Sequence, residues 1–208
     1  DEVIRAGVPP ERVLFFLNGI ERELFHPAGD DPDGRKPEIL FVGNLVGVKR
    51  PEPALHAFAE FASRGSATST CGDGAYRLRF IGDGPLRRQL AEESLEMGLA
   101  KRVQFCGRLP QDQVADAMRC AKCLLLTSDS EGMPNVVCEA LACGTPVVAT
   151  AVGEVPYLIH SRKNGATATL NPGSEQELRH QLAESIATVT RRDWSANAVA
   201  GTVADLSW

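Results

Sequence analysis

Two rhythms of apolar and polar residues alternate along the chain. Short β-rich runs occur at 38–42 (EILFV), 77–82 (RLRFIG), 103–107 (VQFCG), 123–127 (CLLLT), 146–150 (PVVAT) and 166–170 (ATATL), and predict six strands. Between them lie stretches with helical spacing. In PEPALHAFAEFA (51–62), Leu55, Phe58, Ala59 and Ala62 fall on one face. PLRRQLAEESLEMG predicts a helix capped by Gly98, QDQVADAMRC a short helix, and NVVCEALACG a helix closed by Gly144. VPYLIH (155–160) reads as a short helix. SEQELRHQLAESIATV reads as a terminal helix, with Ser174 as N-cap and Glu177 completing a capping box. The polar stretch SRGSATSTCGDGA after the first helix reads as a surface loop.

Strands alternating with helices of this length imply βαβ crossovers, hence an α/β fold: a Rossmann-like parallel sheet with helices on both faces. Sheets of this kind bind ligands at the carboxyl ends of their strands, where loops lead into helix N-termini. Four loops meet that condition: GNLVGVKR (43–50), GDGPLRR (82–88), CGRLP (106–110) and TSDSEGMPN (127–135).

Composition narrows the classes. The chain of 208 residues is 43% hydrophobic, 24% charged and 6% aromatic, an ordinary composition for a water-soluble domain. Apolar runs such as CLLL (123–126) are far short of the roughly 20 residues that cross a bilayer. The N-terminus shows no basic-then-apolar secretory pattern, and its start without methionine suggests a fragment of a longer chain. A formal net charge of −5, with basic residues only in pairs, argues against a nucleic-acid surface. Six cysteines stand at 71, 106, 120, 123, 138 and 143. Cys120-x-x-Cys123 follows a helix and precedes a strand, the reverse of the order in which a helix N-terminus activates a redox thiol. A zinc site would want a second closely spaced pair, and Cys138 and Cys143 belong to another helix. All six read as thiols of a reducing, cytoplasmic compartment.

Of the four loops, GDGP carries little alone: the third glycine of a dinucleotide fingerprint is replaced by Arg87, and no acid follows at the distance that holds an adenosine ribose. EGMPNVVCEALACGTPVVAT (131–150) says more. With Pro134 as first helical residue, the amides of Asn135, Val136 and Val137 form an anion-binding helix start. Glu131 sits on the loop before it, where a plain helix-dipole role would place the acid in the first turn. Glu139 lies roughly 7–8 Å along the helix among apolar neighbours. A carboxylate there suits a ribose diol attached to a diphosphate at the helix start, the plain alternative being an exposed helix glutamate.

The same stretch resembles the E-x7-E segment of retaining glycosyltransferases of the GT-B fold, in particular family 4. ILFVGNLVGVKRPEPALHAFAEF is similar to that family's first strand and loop of the C-terminal domain, and RLRFIGDGPLRRQLAEESLEMGLAKRVQFCGRL to its next two strands. VLFFLNGIERELFHP resembles the segment linking the two GT-B domains, so the likeness runs from about 18 to 173. The resemblance implies residues 1–36 as interdomain linker and the end of an absent N-terminal acceptor domain. It implies 37–208 as the nucleotide-sugar donor domain, with no cofactor beyond that donor and no metal. Asp-x-Asp, the usual metal–diphosphate motif, is absent from the chain; Asp129-Ser130-Glu131 comes nearest.

Carried over by residue, Glu131 accepts from donor-sugar hydroxyls and Lys49 stabilises the departing diphosphate; these two form the catalytic set. Gly132, Met133, Pro134, Asn135 and Val136 hold sugar and diphosphate, and Glu139 takes the ribose. The backbone at Gly107, Arg108 and Leu109 contacts the base, and Gly43 and Gly84 allow close approach. The family's arginine after its first glycine is here Asn44, with either Arg50 compensating or phosphate stabilisation weakened. GEVPY places Glu154 and Tyr157 where a glycine and a glutamate are usual. Two rivals follow: a sugar-nucleotide-binding subunit without catalysis, and an NAD-dependent oxidoreductase. UDP is favoured over GDP as the donor nucleotide; sugar and acceptor stay open, and nothing in the chain bears on membrane attachment.

Overall fold

The structure, a computed structural model, describes residues 5–13, 19–29, 34–64, 75–170 and 174–206. Much of the loop expected at 63–75, Cys71, and part of the linking segment lie outside them. Six strands form one sheet: β1 (Lys36–Val42), β2 (Arg77–Ile81), β3 (Val103–Gly107), β4 (Ala121–Leu126), β5 (Val147–Thr150) and β6 (Gly165–Ala168). Their spatial order is β3-β2-β1-β4-β5-β6 and every pairing is parallel. This is the doubly wound arrangement the alternation predicts, and its direction reverses between β1 and β4.

Burial explains why these runs become strands. Ile39, Leu40 and Phe41 of β1, Cys123 to Leu126 of β4 and all of β5 are buried consecutively, so the central strands are covered on both faces. Across β1, β2 and β3, Phe41 packs tilted on Phe80 and Phe80 stacks on Phe105, with ring centroids 5.2 and 5.0 Å apart. One layer contains α1 (Pro51–Arg64), α2 (Arg87–Glu96) and α6 (Glu175–Thr190). The other contains α3 (Gln111–Cys120), α4 (Asn135–Ala142), α5 (Val155–Leu158) and α7 (Ala196–Gly201).

Several boundaries match their signals. Ser174 accepts from the Glu177 amide, the N-cap half of the expected capping box, while the Glu177 carboxylate accepts from Gln181 Nε2. Gly98 and Gly144 follow their helices at φ +71° and +78°, the left-handed conformation that glycine adopts without strain. A Cβ on Gly144 would also stand 2.6 Å from the Ala196 Cβ, so this glycine lets α7 close on α4.

Other boundaries differ. Pro134 is the N-cap (φ −76°, ψ 101°), and Asn135 is the first helical residue. The Pro134 carbonyl receives the amides of Val137 at 3.0 Å and Cys138 at 3.3 Å, so Val137 leaves the set of helix-start amides and Asn135 and Val136 precede the first helical bond. The helix α7 was not anticipated, although Ser195 caps it by accepting from the Ala198 amide.

The segment before residue 36 joins the same core. Ile20 and Phe25 are buried in it, the Ile20 amide donates to Leu206, Arg22 to the Val203 carbonyl and Arg119 to the Leu24 carbonyl. No helix among the described residues is long and apolar enough to cross a membrane.

Candidate active site

The carboxyl ends of β1 and β4, which flank the reversal point, carry the loops 43–50 and 127–134. The first ends in a 3₁₀ turn, Gly47–Lys49, and is fastened to the second at several points. Thr127 Oγ1 donates to the carbonyls of Lys49 (3.2 Å) and Arg50 (2.5 Å), and the Asp129 amide donates to Val48 (2.9 Å). Arg50 takes a left-handed conformation at φ 47°, which costs a non-glycine residue about 1–2 kcal/mol. Its guanidinium pairs with Asp129 at 2.7 Å and with Glu175 at the start of α6. These contacts hold the strained turn and aim Lys49 across the loop junction.

Lys49 Nζ stands 2.7 Å from Glu131 Oε1, and the Glu131 side chain is only 9% exposed. Ser128 Oγ donates to the same oxygen at 2.6 Å. Ser128 is itself buried, and its carbonyl accepts from Thr150 Oγ1 at 2.7 Å. The end of β5 thereby braces the end of β4. Gly153 (φ +53°) completes the brace: a Cβ there would lie 1.9 Å from the Glu131 carbonyl oxygen. The departing GEVPY segment is thus seated against the loop that carries Glu131, with Tyr157 exposed.

Glu139 occupies a different setting on α4. It borders a cavity of about 180 Å³ with Asn135 beside it on α4, Gln111 at the start of α3, and Gly19 and Glu21 of the early segment. Burial pushes the Glu139 carboxyl above its ordinary value, with no compensating donor among the described residues. The base-contact candidates Arg108 and Leu109 sit at the same end of the fold, immediately before α3, with Arg108 exposed.

The predicted residues do not all gather. Asn44 is exposed beside the first loop. Arg50, the candidate substitute for the expected arginine, has its guanidinium paired with Asp129 and Glu175. Gly84 is explained by the chain itself: a Cβ there would stand 2.4 Å from the Leu45 carbonyl. Gly43 (φ +156°) has near-extended backbone and space around it, while its neighbour Gly82 carries the tight contact, 1.9 Å from Gly43 oxygen to a would-be Cβ. Gly132 faces open space, Met133 is half-buried and Pro134 is buried. Sequence reasoning missed Ser128, Thr127, Thr150 and Gln111; the one signal for Ser128 is its place three residues before Glu131 in the same loop.

A larger open groove of about 890 Å³ lies between α1, α2 and α6, away from these loops. Two of its acids pair with its histidines, Glu93 with His56 and Glu60 with His180. Nor does the CxxC pair form a reactive site. Cys120 ends α3 and Cys123 is buried in β4, its thiol pushed up to about 12 by burial. Burial also pushes up Cys138, to about 11, and Cys143, to about 12.

Residues 25–199 match the family described as glycosyl transferases group 1. The chain belongs to that family. A D-inositol 3-phosphate glycosyltransferase of Acidothermus cellulolyticus is 31% identical over 172 residues, covering 76% of this chain and 37% of the relative. Among solved structures, the lipopolysaccharide outer core galactosyltransferase WaaB superposes with a TM-score of 0.75 at 23% identity, over 99% of this chain and 55% of WaaB. The C-terminal domain of a glycosyl transferase group 1 family protein (LpcC) from Francisella tularensis superposes with a TM-score of 0.69 at 18% identity, over 90% of this chain and 97% of that domain. The group 1 chain described here therefore has a Rossmann-like half of the GT-B fold, and spans about two-fifths of the curated relative's length.

Proposed function

We propose that this chain is the donor-binding half of a retaining, metal-independent glycosyltransferase of family 4. It takes a nucleoside-diphosphate sugar, UDP in preference to GDP, and works with an acceptor domain beyond the described residues. One observation carries the reading. The fold brings Lys49 and Glu131, from loops 82 residues apart, to 2.7 Å at the reversal point of the sheet. Glu139, one helix start away, faces a separate cavity beside Gln111. A diphosphate at the start of α4 connects these places: its sugar meets Glu131, and its ribose meets Glu139.

In this reading Lys49 does two things. Its ammonium has three donors, so it can keep Glu131 in place and still donate to a phosphate oxygen. Negative charge grows on that phosphate as the glycosidic bond breaks, and a fixed cation stabilises the transition state more than the ground state. Displacement occurs on the front face, the leaving phosphate accepting the proton of the acceptor hydroxyl. The chain alone contributes donor binding and no turnover; sugar transfer by the isolated 208 residues would overturn that part.

A thermal-shift panel of UDP, GDP, ADP and NAD tests the reading. A ligand at a hundredfold excess over its Kd adds about 2.7 kcal/mol, which raises the Tm of a domain this size by roughly 5–10 °C. A shift with UDP or GDP and none with NAD is expected; the opposite result would overturn the donor-binding reading.

A second reading, a sugar-nucleotide-binding subunit without catalysis, is favoured by one finding: Asn44 stands in place of a cation and Arg50 is held by Asp129 and Glu175. If Glu131→Ala leaves transfer unchanged in the protein joined to its acceptor domain, the catalytic reading of Glu131 fails and this second one takes its place.

A further inference from the structure

Both lone pairs of one Glu131 oxygen are occupied. Oε1 receives Lys49 Nζ at 2.7 Å and Ser128 Oγ at 2.6 Å, and a carboxylate oxygen accommodates two such donors side by side. The two donors differ in kind. Lys49 is 30% exposed and can redistribute its three protons when an anion arrives. Ser128 is fully buried and has one proton, its backbone fixed by Thr150. Carboxylate rotation is a broad, soft torsion, so without a fixed donor the two oxygens of a glutamate exchange places readily.

We propose that Ser128 is a positioning residue that commits Glu131 Oε1 to the protein and leaves Oε2 as the sole acceptor offered to the donor sugar. Whatever the sugar presents at Glu131 then meets Oε2 alone, not the two oxygens side by side. This rests on the donor-binding reading above and adds what that reading lacks, the oxygen of Glu131 that meets the sugar. Glu139 is the counterexample within the same molecule. No described group donates to it, so both its oxygens remain for a diol.

The test is a double-mutant cycle read by calorimetry with UDP-glucose and UDP, repeated with GDP-mannose and GDP. The quantity measured is the ratio of the nucleotide's Kd to the sugar nucleotide's Kd. Ser128→Ala is expected to lower that ratio about tenfold, as loss of a charge-assisted hydrogen bond does, while UDP affinity stays within about twofold. In the Glu131→Gln background the same change is expected to add nothing, and Ser128→Thr, which retains the hydroxyl, restores most of the ratio. Equal effects of Ser128→Ala in both backgrounds, or an equal loss of UDP affinity, would make Ser128 a structural residue only and overturn the proposal. A ratio unmoved by Glu131→Gln with either pair of probes overturns the donor-sugar reading itself. A ratio moved by Glu131→Gln but not by Ser128→Ala overturns the Ser128 role alone.

Discussion

Glu131 and Glu139 are eight residues apart and have opposite environments. Glu131 is nearly enclosed, yet one of its oxygens has two donors, and the loop that carries it is braced by Thr127, Thr150 and Gly153. Glu139 sits on a regular helix turn, its carboxyl pushed upward by burial, with no described donor answering it. One acid is fixed before a ligand arrives; the other is costly to ionise until a ligand supplies hydroxyls. The difference teaches what each can do. A carboxylate with one oxygen already satisfied meets its ligand through the other alone, whereas an unsatisfied one can offer both oxygens to a pair of donors.

That contrast can be broken in order of expected size. The largest effect belongs to Gly153→Ala, because its Cβ would overlap the Glu131 carbonyl at a left-handed backbone position. A loss of roughly 3 kcal/mol or more in urea unfolding is expected, with sugar recognition impaired and the α4 helix intact. Next comes Lys49→Met, which leaves an enclosed carboxylate with one donor. About 1–3 kcal/mol of stability should be lost, discounted for the partial exposure of Lys49. Adding Glu131→Gln should recover much of it, since the unpaired charge is then gone; no recovery would mean that Lys49 acts by packing alone.

Smaller effects sharpen the other side. The unmutated chain should bind UDP about tenfold more tightly than 2′-deoxy-UDP, and Glu139→Leu should abolish that preference, both by calorimetry. Smallest is a pH effect on stability. Glu139 has a folded pKa above its unfolded value near 4.5, so the folded state binds more protons and stability falls as pH rises. The contribution is fully present below about 4.5 and is lost as pH passes through the raised folded value. Glu139→Gln should flatten that part of a urea-midpoint-versus-pH curve, and an unchanged slope would show that burial does not burden this carboxyl.

The layout of strands and helices was legible because parallel strands covered on both faces are written as consecutive apolar runs, of which ILF and LLL are examples. Caps were legible where chemistry is local, as at Ser174 and Gly144. Pro134 was displaced by one position because a proline suits either the N-cap or the first turn, and only the carbonyl contacts to Val137 and Cys138 decide. Glu131, Glu139 and Lys49 were legible as residue types, but the pairing of Lys49 with Glu131 spans 82 positions and emerges only from strand order. The fate of Arg50 was illegible for the same reason, its partners lying 79 and 125 positions away. Ser128 went unnoticed because a serine in a loop has many uses, and its buried contact to Glu131 belongs to the folded loop.

In the donor-binding reading the two acids contact opposite parts of one ligand. Calorimetry of UDP, 2′-deoxy-UDP and UDP-glucose against the unmutated chain, Glu131→Ala and Glu139→Leu tests this directly. Glu131→Ala is expected to remove the contribution of the sugar and keep the ribose preference, while Glu139→Leu does the reverse. Two variants that weaken all three ligands equally, or a chain that binds none of them, would contradict it.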